Sequence, residues 1–387
     1  MSRRRRVLLV QPSIQPPGGS SGVAAWLLQA LVPDHLVTVL SWQPVDVGPI
    51  NRFFGTHLGA SDFDTRVVPA SWRALPEACP LPLSLIRSSI LMRYTRRVSD
   101  GYDVIIGVNN EQDYGRRGIQ YIHFPTYIRP RPAADLRWYH QPKALLGLYY
   151  DLADRIAGFS LDRLRRNVTL TNSEWTAGHA RRMLGLDART VYPPVADPAP
   201  PQPWESRQPG LLAIGRISPE KEYARLIRIA AGVRARVPDT TLTIIGTVDR
   251  HTRRYFQSLE RMAREYGEGL VRFRLDLSSD EVRQAIAVHR YGVHGMREEH
   301  FGMAPAEMAR GGAIVWVPRG GGQVEIAGDE PALLYDEDDE AVEKIVRVMH
   351  DTAEQARLRA HLAARSERFS TARFITEIRA IVEAFEG

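Results

Sequence analysis

Short apolar runs recur along the whole chain, and amphipathic stretches separate them. This alternation is the tightest constraint on the fold. Val7–Val10, Val104–Ile106 and Ala313–Val317 are apolar at successive residues. Such a run suits a strand covered on both faces, as in a parallel sheet with helices on either side. In the first half the strand candidates are Val7–Val10, Leu36–Leu40, Val104–Ile106, Ile119–His123 and Val168–Thr171, with helical stretches at Val23–Leu31, Lys143–Leu164 and Glu174–Leu184. The second half repeats the pattern, with strands at Leu211–Ile214, Thr241–Ile245, Val271–Arg274, Tyr291–Val293, Ala313–Val317 and Ala332–Tyr335. Helices are predicted there at Tyr223–Val237 and Ser279–His289. The pattern predicts an α/β protein with two Rossmann-like, doubly wound domains.

The boundary falls where seven prolines crowd residues 193–209, a composition that favours an extended, semi-rigid connector. The expected division is a first domain over 1–196, a proline-rich linker over 197–210, a second domain over 211–370 and a last helix over 371–387. Three helical segments follow Tyr335 with no strand between them.

Composition narrows the class. An apolar share of 44% supports a sizeable core, and the single cysteine, Cys79, excludes an intrachain disulfide framework and a multi-cysteine zinc site. No apolar run approaches the ~18–20 residues of a membrane span; the best, around 144–161, is broken by Asp151, Asp154 and Arg155. Arg3–Arg6 lead into an apolar segment too short for an export signal. The expected location is cytoplasmic. Residues 1–200 carry 24 Lys and Arg against 16 Asp and Glu, while the remainder carries 27 against 29. The basic first half makes an anionic membrane surface a candidate peripheral contact, at the inner face of the membrane. Although the sequence pI is about 9.5, there is no recognition helix, zinc-ligand spacing or aromatic–basic RNA motif, so no nucleic-acid partner is expected.

Four loops are placed to carry chemistry, because ligands of doubly wound folds sit at the carboxyl ends of strands. The first runs from Glu298 to Gly312 and places Glu299 and Glu307 eight residues apart. If a helix begins near Gly302, the Phe301, Gly302 and Met303 amides are orphan donors suited to an anion or to sugar hydroxyls. Two solvated carboxylates are the plainer reading. The second loop, Ile214–Lys221, carries Arg216 and Lys221, which could grip a diphosphate; a capping Ser218 before Pro219 explains the same residues structurally. The third, Pro17–Gly22, is a glycine-rich strand-to-helix turn without the G-x-G-x-x-G spacing or a P-loop lysine. The fourth, Gln120–Thr126, sets His123 at a strand end, where a histidine is more often structural than catalytic. All four would point into one cleft between the domains.

Gly215–Lys221, Glu299–Glu307 and Gly320-Gly321-Gly322-Gln323-Val324-Glu325 resemble, in order and spacing, the retaining nucleotide-sugar glycosyltransferases of family 4, the "glycosyl transferases group 1". The likeness covers essentially the second domain. Within the family, Tyr121–Thr126, Asn172–Thr176, Val191–Pro194 and Glu299–Gly302 resemble most the α-1,2-mannosyltransferases that extend lipid-linked oligosaccharides. The chain departs from them in lacking an amino-terminal membrane helix and in the two serines within Gly18–Gly22.

The resemblance implies the GT-B fold, two domains facing across a cleft with the last helix crossing back to the first. It implies that Arg216 and Lys221 neutralise the donor diphosphate, that Gly19 lets the first domain's turn approach it, and that Glu307 binds the ribose hydroxyls. Glu299 and the Phe301–Met303 amides would hold the transferred sugar, His123 would contact it from the first domain, and Leu275, Asp276 and Leu277 would lie near the base. The implied partners are a nucleotide sugar, GDP-mannose before others, and a saccharide or lipid-linked acceptor. No cofactor or metal is implied; Asp62–Asp64 and Asp336–Asp338, the two Asp-x-Asp patterns, read as solvated loops. UDP- or ADP-sugar transfer and sugar-nucleotide epimerisation stay open as alternatives, with a non-catalytic relative or a nucleic-acid binder more remote.

Overall fold

The computed structural model describes residues 4–79, 83–126, 143–200 and 202–386, and the chain divides into two compact units. The first comprises Met1–Tyr192 with Phe374–Gly387, the second Pro193–Arg373. In the first unit the described residues form strands β1 (Arg6–Val10), β2 (Leu36–Ser41), β3 (Asp64–Val67), β4 (Val104–Gly107), β5 (Ile119–Ile122), β6 (Val168–Thr171) and β7 (Ala188–Thr190). They make one sheet in the order β3-β2-β1-β4-β5-β6-β7, parallel throughout. Its helices are α1 (Gly19–Leu31), α2 (Val47–Phe54), α3 (Ala70–Ala78), α4 (Ser84–Val98), α5 (Lys143–Ala157), α6 (Leu161–Arg165) and α7 (Glu174–Leu184).

Side chains alternate across a strand, and β1 shows the consequence. Val7 and Leu9 enter one apolar cluster with α1, while Leu8 and Val10 enter another with Ile86, Ile90 and Tyr94 of α4. Both faces are covered, which is why the run is apolar without a break.

The second unit holds β8 (Gln208–Ile214), β9 (Leu242–Gly246), β10 (Val271–Leu275), β11 (His289–Val293), β12 (Ile314–Pro318) and β13 (Leu334–Tyr335). The order is β10-β9-β8-β11-β12-β13, again parallel. Its helices are α8 (Tyr223–Arg236), α9 (Arg253–Tyr266), α10 (Ser279–Val288), α11 (Met303–Arg310), α12 (Val324–Ala327), α13 (Asp338–His350) and α14 (Thr352–Ser366). Local signals set several ends. Ser278 and Glu281 form a reciprocal capping box at α10, and Ser173 caps α7 while Gly185 ends it in the left-handed region. The last helix, α15 (Thr371–Glu383), places Phe374, Ile378, Ile381 and Val382 in the α1 cluster of the first unit.

Four expectations need correction. Helix α1 begins at Gly19 rather than Val23, so most of the glycine-rich turn is the helix's own first turn. The expected helix over Lys143–Leu164 is two helices, parted at Gly158, whose φ is +55°. Residues 197–210 are not the extended, semi-rigid connector expected. The second unit begins at Pro193, Trp204 is buried with its indole N–H on Gln355 Oε1 at 3.0 Å, and β8 starts at Gln208. Nor is the second Asp-x-Asp pattern a solvated loop: Asp338 opens α13 and accepts from the buried Arg225 Nε at 2.7 Å. Strands β3 and β7 escaped the sequence reading because they are the sheet's edges and carry exposed or half-exposed residues instead of an apolar run.

Candidate active site

In the second unit, β8 and β11 are neighbours in the sheet. The loops leaving their carboxyl ends are therefore adjacent, although they lie far apart in the chain. The β8 loop turns through Gly215, makes one 3-10 turn over Pro219–Lys221 and enters α8 behind Glu222. The β11 loop carries His294 and Glu299 and ends at Gly302, whose φ of +106° admits the chain into α11. Across this junction the Lys221 ammonium bonds Glu299 Oε2, 78 residues away, and His294 Nε2 lies 3.2 Å from the same oxygen. Lys221 and Glu299 are each less than one-fifth exposed, and His294 is 4% exposed.

The electrostatics follow from this packing. Burial alone would raise the Glu299 carboxyl, but the hydrogen bond from His294 and the charge of Lys221 outweigh it and hold the group well below the usual carboxylate range. Burial lowers His294, against the opposing pull of Glu299, and so favours the neutral ring. A carboxylate only accepts, so Nε2 carries the ring proton. The sequence reading missed His294. The visible signal was its place one residue beyond β11, five before Glu299.

A third loop fixes the carboxylate's backbone. After β12, Gly321 forms a bridge with Glu299, and Gly322 N–H donates to the Glu299 carbonyl. Gly321 has φ +72°, and a side chain there would meet the Glu299 backbone nitrogen at 2.6 Å, so glycine is required for both conformation and space. Gln323, fully buried, donates from Nε2 to the carbonyls of Met296 at 2.7 Å and Gly320 at 3.0 Å, tying the two loops together.

Arg216 is 61% exposed and bonds Glu220 at 3.1 Å, so the structure brings Lys221 but not Arg216 to Glu299. Phe301 is buried with its ring edge-on to Phe369. The Met303 amide opens α11 behind Gly302, among donors without an intrahelical acceptor. Glu307 lies on the second turn of α11. No described residue hydrogen-bonds its carboxylate, and burial, opposed by Arg283, pushes it up to about 7. Leu275 ends β10, and Asp276 turns the chain with φ +54° before Leu277.

In the first unit Gly19 is the exposed first residue of α1. His123 follows β5, and the structure joins three sequence motifs around it. Asn172 Nδ2 donates to the His123 carbonyl at 3.0 Å, and Tyr121 Oη donates to the Val191 carbonyl at 2.6 Å. Two residues absent from the sequence reading complete this region. Asn110 Oδ1 accepts the His123 amide at 2.8 Å, and the buried Glu111 accepts the amide and hydroxyl of Thr126. Among the described residues no cluster of three or more His, Cys, Asp or Glu is placed to hold a metal, and no helix is long and apolar enough to cross a membrane.

Residues 199–366 match the family model described as "Glycosyl transferases group 1". Over 185 residues the chain is 28% identical to the GDP-Man:Man(3)GlcNAc(2)-PP-Dol alpha-1,2-mannosyltransferase of Dictyostelium discoideum, covering 43% of this chain and 36% of that protein. Over 242 residues it is 26% identical to the human protein of the same description, covering 57% and 49%. The matched part thus spans from about a third to half of the length of these relatives. Among solved structures, Anabaena HepE in complex with UDP and glucose superposes with a TM-score of 0.69 at 16% identity, over 99% of this chain and all of that one. WaaG, a glycosyltransferase involved in lipopolysaccharide biosynthesis, gives 0.67 at 14%, over 98% and 100%. The two parallel-sheet units and these likenesses show the GT-B fold.

Proposed function

We propose that this chain, whose second unit carries a glycosyl transferases group 1 domain on a GT-B fold, is a retaining glycosyltransferase. It moves a hexose, mannose from GDP-mannose in first place, to a hydroxyl of a saccharide or lipid-linked acceptor. The observation that carries this reading is the joining of Lys221, Glu299 and His294 at the carboxyl ends of adjacent strands.

Glycosyl transfer builds negative charge on the departing diphosphate and positive charge at the anomeric carbon. A fixed ammonium in a sheltered site stabilises the first far better than in water, and Lys221 takes this role, with the exposed Arg216 as a second cation. Glu299 accepts from hydroxyls of the transferred sugar beside the anomeric centre, with the Phe301–Met303 amides as donors on the same loop. Glu307, with no protein partner among the described residues, accepts from the ribose. Retention follows if the leaving oxygen itself removes the acceptor proton on the same face, which needs neither a covalent nucleophile nor a metal. The reading places the enzyme in the cytoplasm, with its basic first unit at an anionic membrane surface.

The test is nucleotide release from GDP-mannose, UDP-glucose and ADP-glucose, each with and without saccharide and lipid-linked acceptors, in EDTA, with the product's anomeric configuration read by NMR. Acceptor-dependent GDP release with an α-linked product supports the reading. The UDP complex of the Anabaena neighbour is the specific reason to keep UDP-glucose in the panel. Conversion of a nucleotide sugar without any acceptor would make the chain an epimerase, and no turnover of any donor would leave a non-catalytic relative.

A further inference from the structure

Two donors converge on one oxygen of Glu299. Lys221 and His294 both meet Oε2, and among the described residues Oε1 has no protein partner. The two donors differ in kind. Lys221 ends a flexible four-carbon stem and carries the charge that a diphosphate would attract. His294 is held at its backbone, where its amide donates to the Trp316 carbonyl at 2.9 Å and its carbonyl accepts Tyr335 Oη. Its ring is buried and cannot follow a ligand.

We propose that His294 is the positioning residue for Glu299, donating Nε2–H to Oε2 and keeping the carboxylate oriented while Lys221 serves the leaving diphosphate. Oε1 is thereby left for hydroxyls of the transferred sugar. The proposal rests on the transferase reading of this site. A neutral donor suits the task, because it orients the carboxylate without cancelling a charge that the developing cation at the anomeric carbon requires. A cation in its place would leave the sheltered cluster net positive beside Lys221, weakening that stabilisation. His294 acts through Glu299 and touches no reacting atom.

The test uses the purified full chain with GDP-mannose, or with whichever donor the panel above turns over, and compares H294L, H294Q, E299Q and the double variant H294L/E299Q. Loss of an orienting residue is expected to lower kcat about 10–100-fold in H294L. The donor KM and GDP affinity are expected to stay within about threefold, because substrate contacts are intact. H294Q, whose amide can reach the same oxygen, regains most of the rate. In the E299Q background H294L costs little more, because the group it orients is already changed. An equal loss in both backgrounds, or wild-type kcat in H294L, overturns the proposal. Should H294L fail to fold, the Nε2 resonance of His294 decides. It is expected to move between wild type and E299Q, and an unmoved resonance overturns the proposal. Wild-type turnover in both E299Q and K221A would sink the transferase-site reading itself. Loss in those two with H294L unaffected sinks only the role of His294.

Discussion

The amide of Gly322 donates to the carbonyl of Glu299 at 2.7 Å, so the loop after β12 holds the backbone of the carboxylate that the loop after β11 presents. Glu299 is thus fixed twice, at its backbone by glycines and at its side chain by Lys221 and His294. Each of these contacts makes a separate prediction.

Gly321→Ala meets both a left-handed φ of +72° and the Glu299 backbone. Gly55 shares the φ of +72°, but a Cβ there would have nothing within 4 Å, so Gly55→Ala isolates the conformational cost, about 1–2 kcal/mol. Urea unfolding is expected to show Gly321→Ala destabilised by more than Gly55→Ala, and turnover is expected to fall in Gly321→Ala alone. Equal losses in both would mean that the close approach to Glu299 is relieved at no cost.

Lys221→Ala and Glu299→Gln are each expected to reduce turnover about 10²–10³-fold, the scale for removing one key electrostatic group. Arg216→Ala, whose guanidinium faces solvent and Glu220, is expected to lose less than either. Steady-state rates with saturating donor give the comparison. Activity within threefold of wild type in either of the first two variants would misplace the site.

Glu307 sets a pH dependence whose sign is fixed by its upward shift to about 7. Between the unfolded value near 4.5 and that folded value, the native state holds a proton that the unfolded state has released. Stability therefore falls as pH rises through this window. Glu307→Gln is expected to stabilise the protein above pH 7 and to change little below pH 4.5. Thermal melts of both proteins across pH 4–8 supply the check, and parallel pH profiles would show that Glu307 titrates normally.

Asp113 anchors the first unit. Its side chain is fully buried and accepts from Arg163 Nη2 at 2.8 Å, the Ser160 amide at 2.9 Å and the Gly115 amide at 3.0 Å, with Arg96 at 3.5 Å. Asp113→Ala removes the charge that offsets both guanidinium groups and is expected to cost about 3 kcal/mol, measured by chemical denaturation. Loss of turnover in proportion to the unfolded fraction, and no further, would confine Asp113 to a structural role.

The fold was legible because its signal is local. An apolar run in β1, β4 or β12 records that both faces of a strand are covered, whatever covers them. The edge strands β3 and β7 left no such record, because half of their surroundings is solvent. The glycine-rich turn misled because glycine marks close approach and flexibility without saying whether a helix has begun.

Residue order alone was enough to specify the alternation of strand and helix, the two doubly wound units and the loops at the strand ends. It took the folded chain to show that Lys221 and His294 share one oxygen of Glu299 and that Arg216 stays apart. The physical reason is that periodicity reports how each residue is buried, whereas partnership depends on which strands are neighbours. The order β9-β8-β11-β12 sets β8 beside β11, and that adjacency brings together two side chains 78 residues apart.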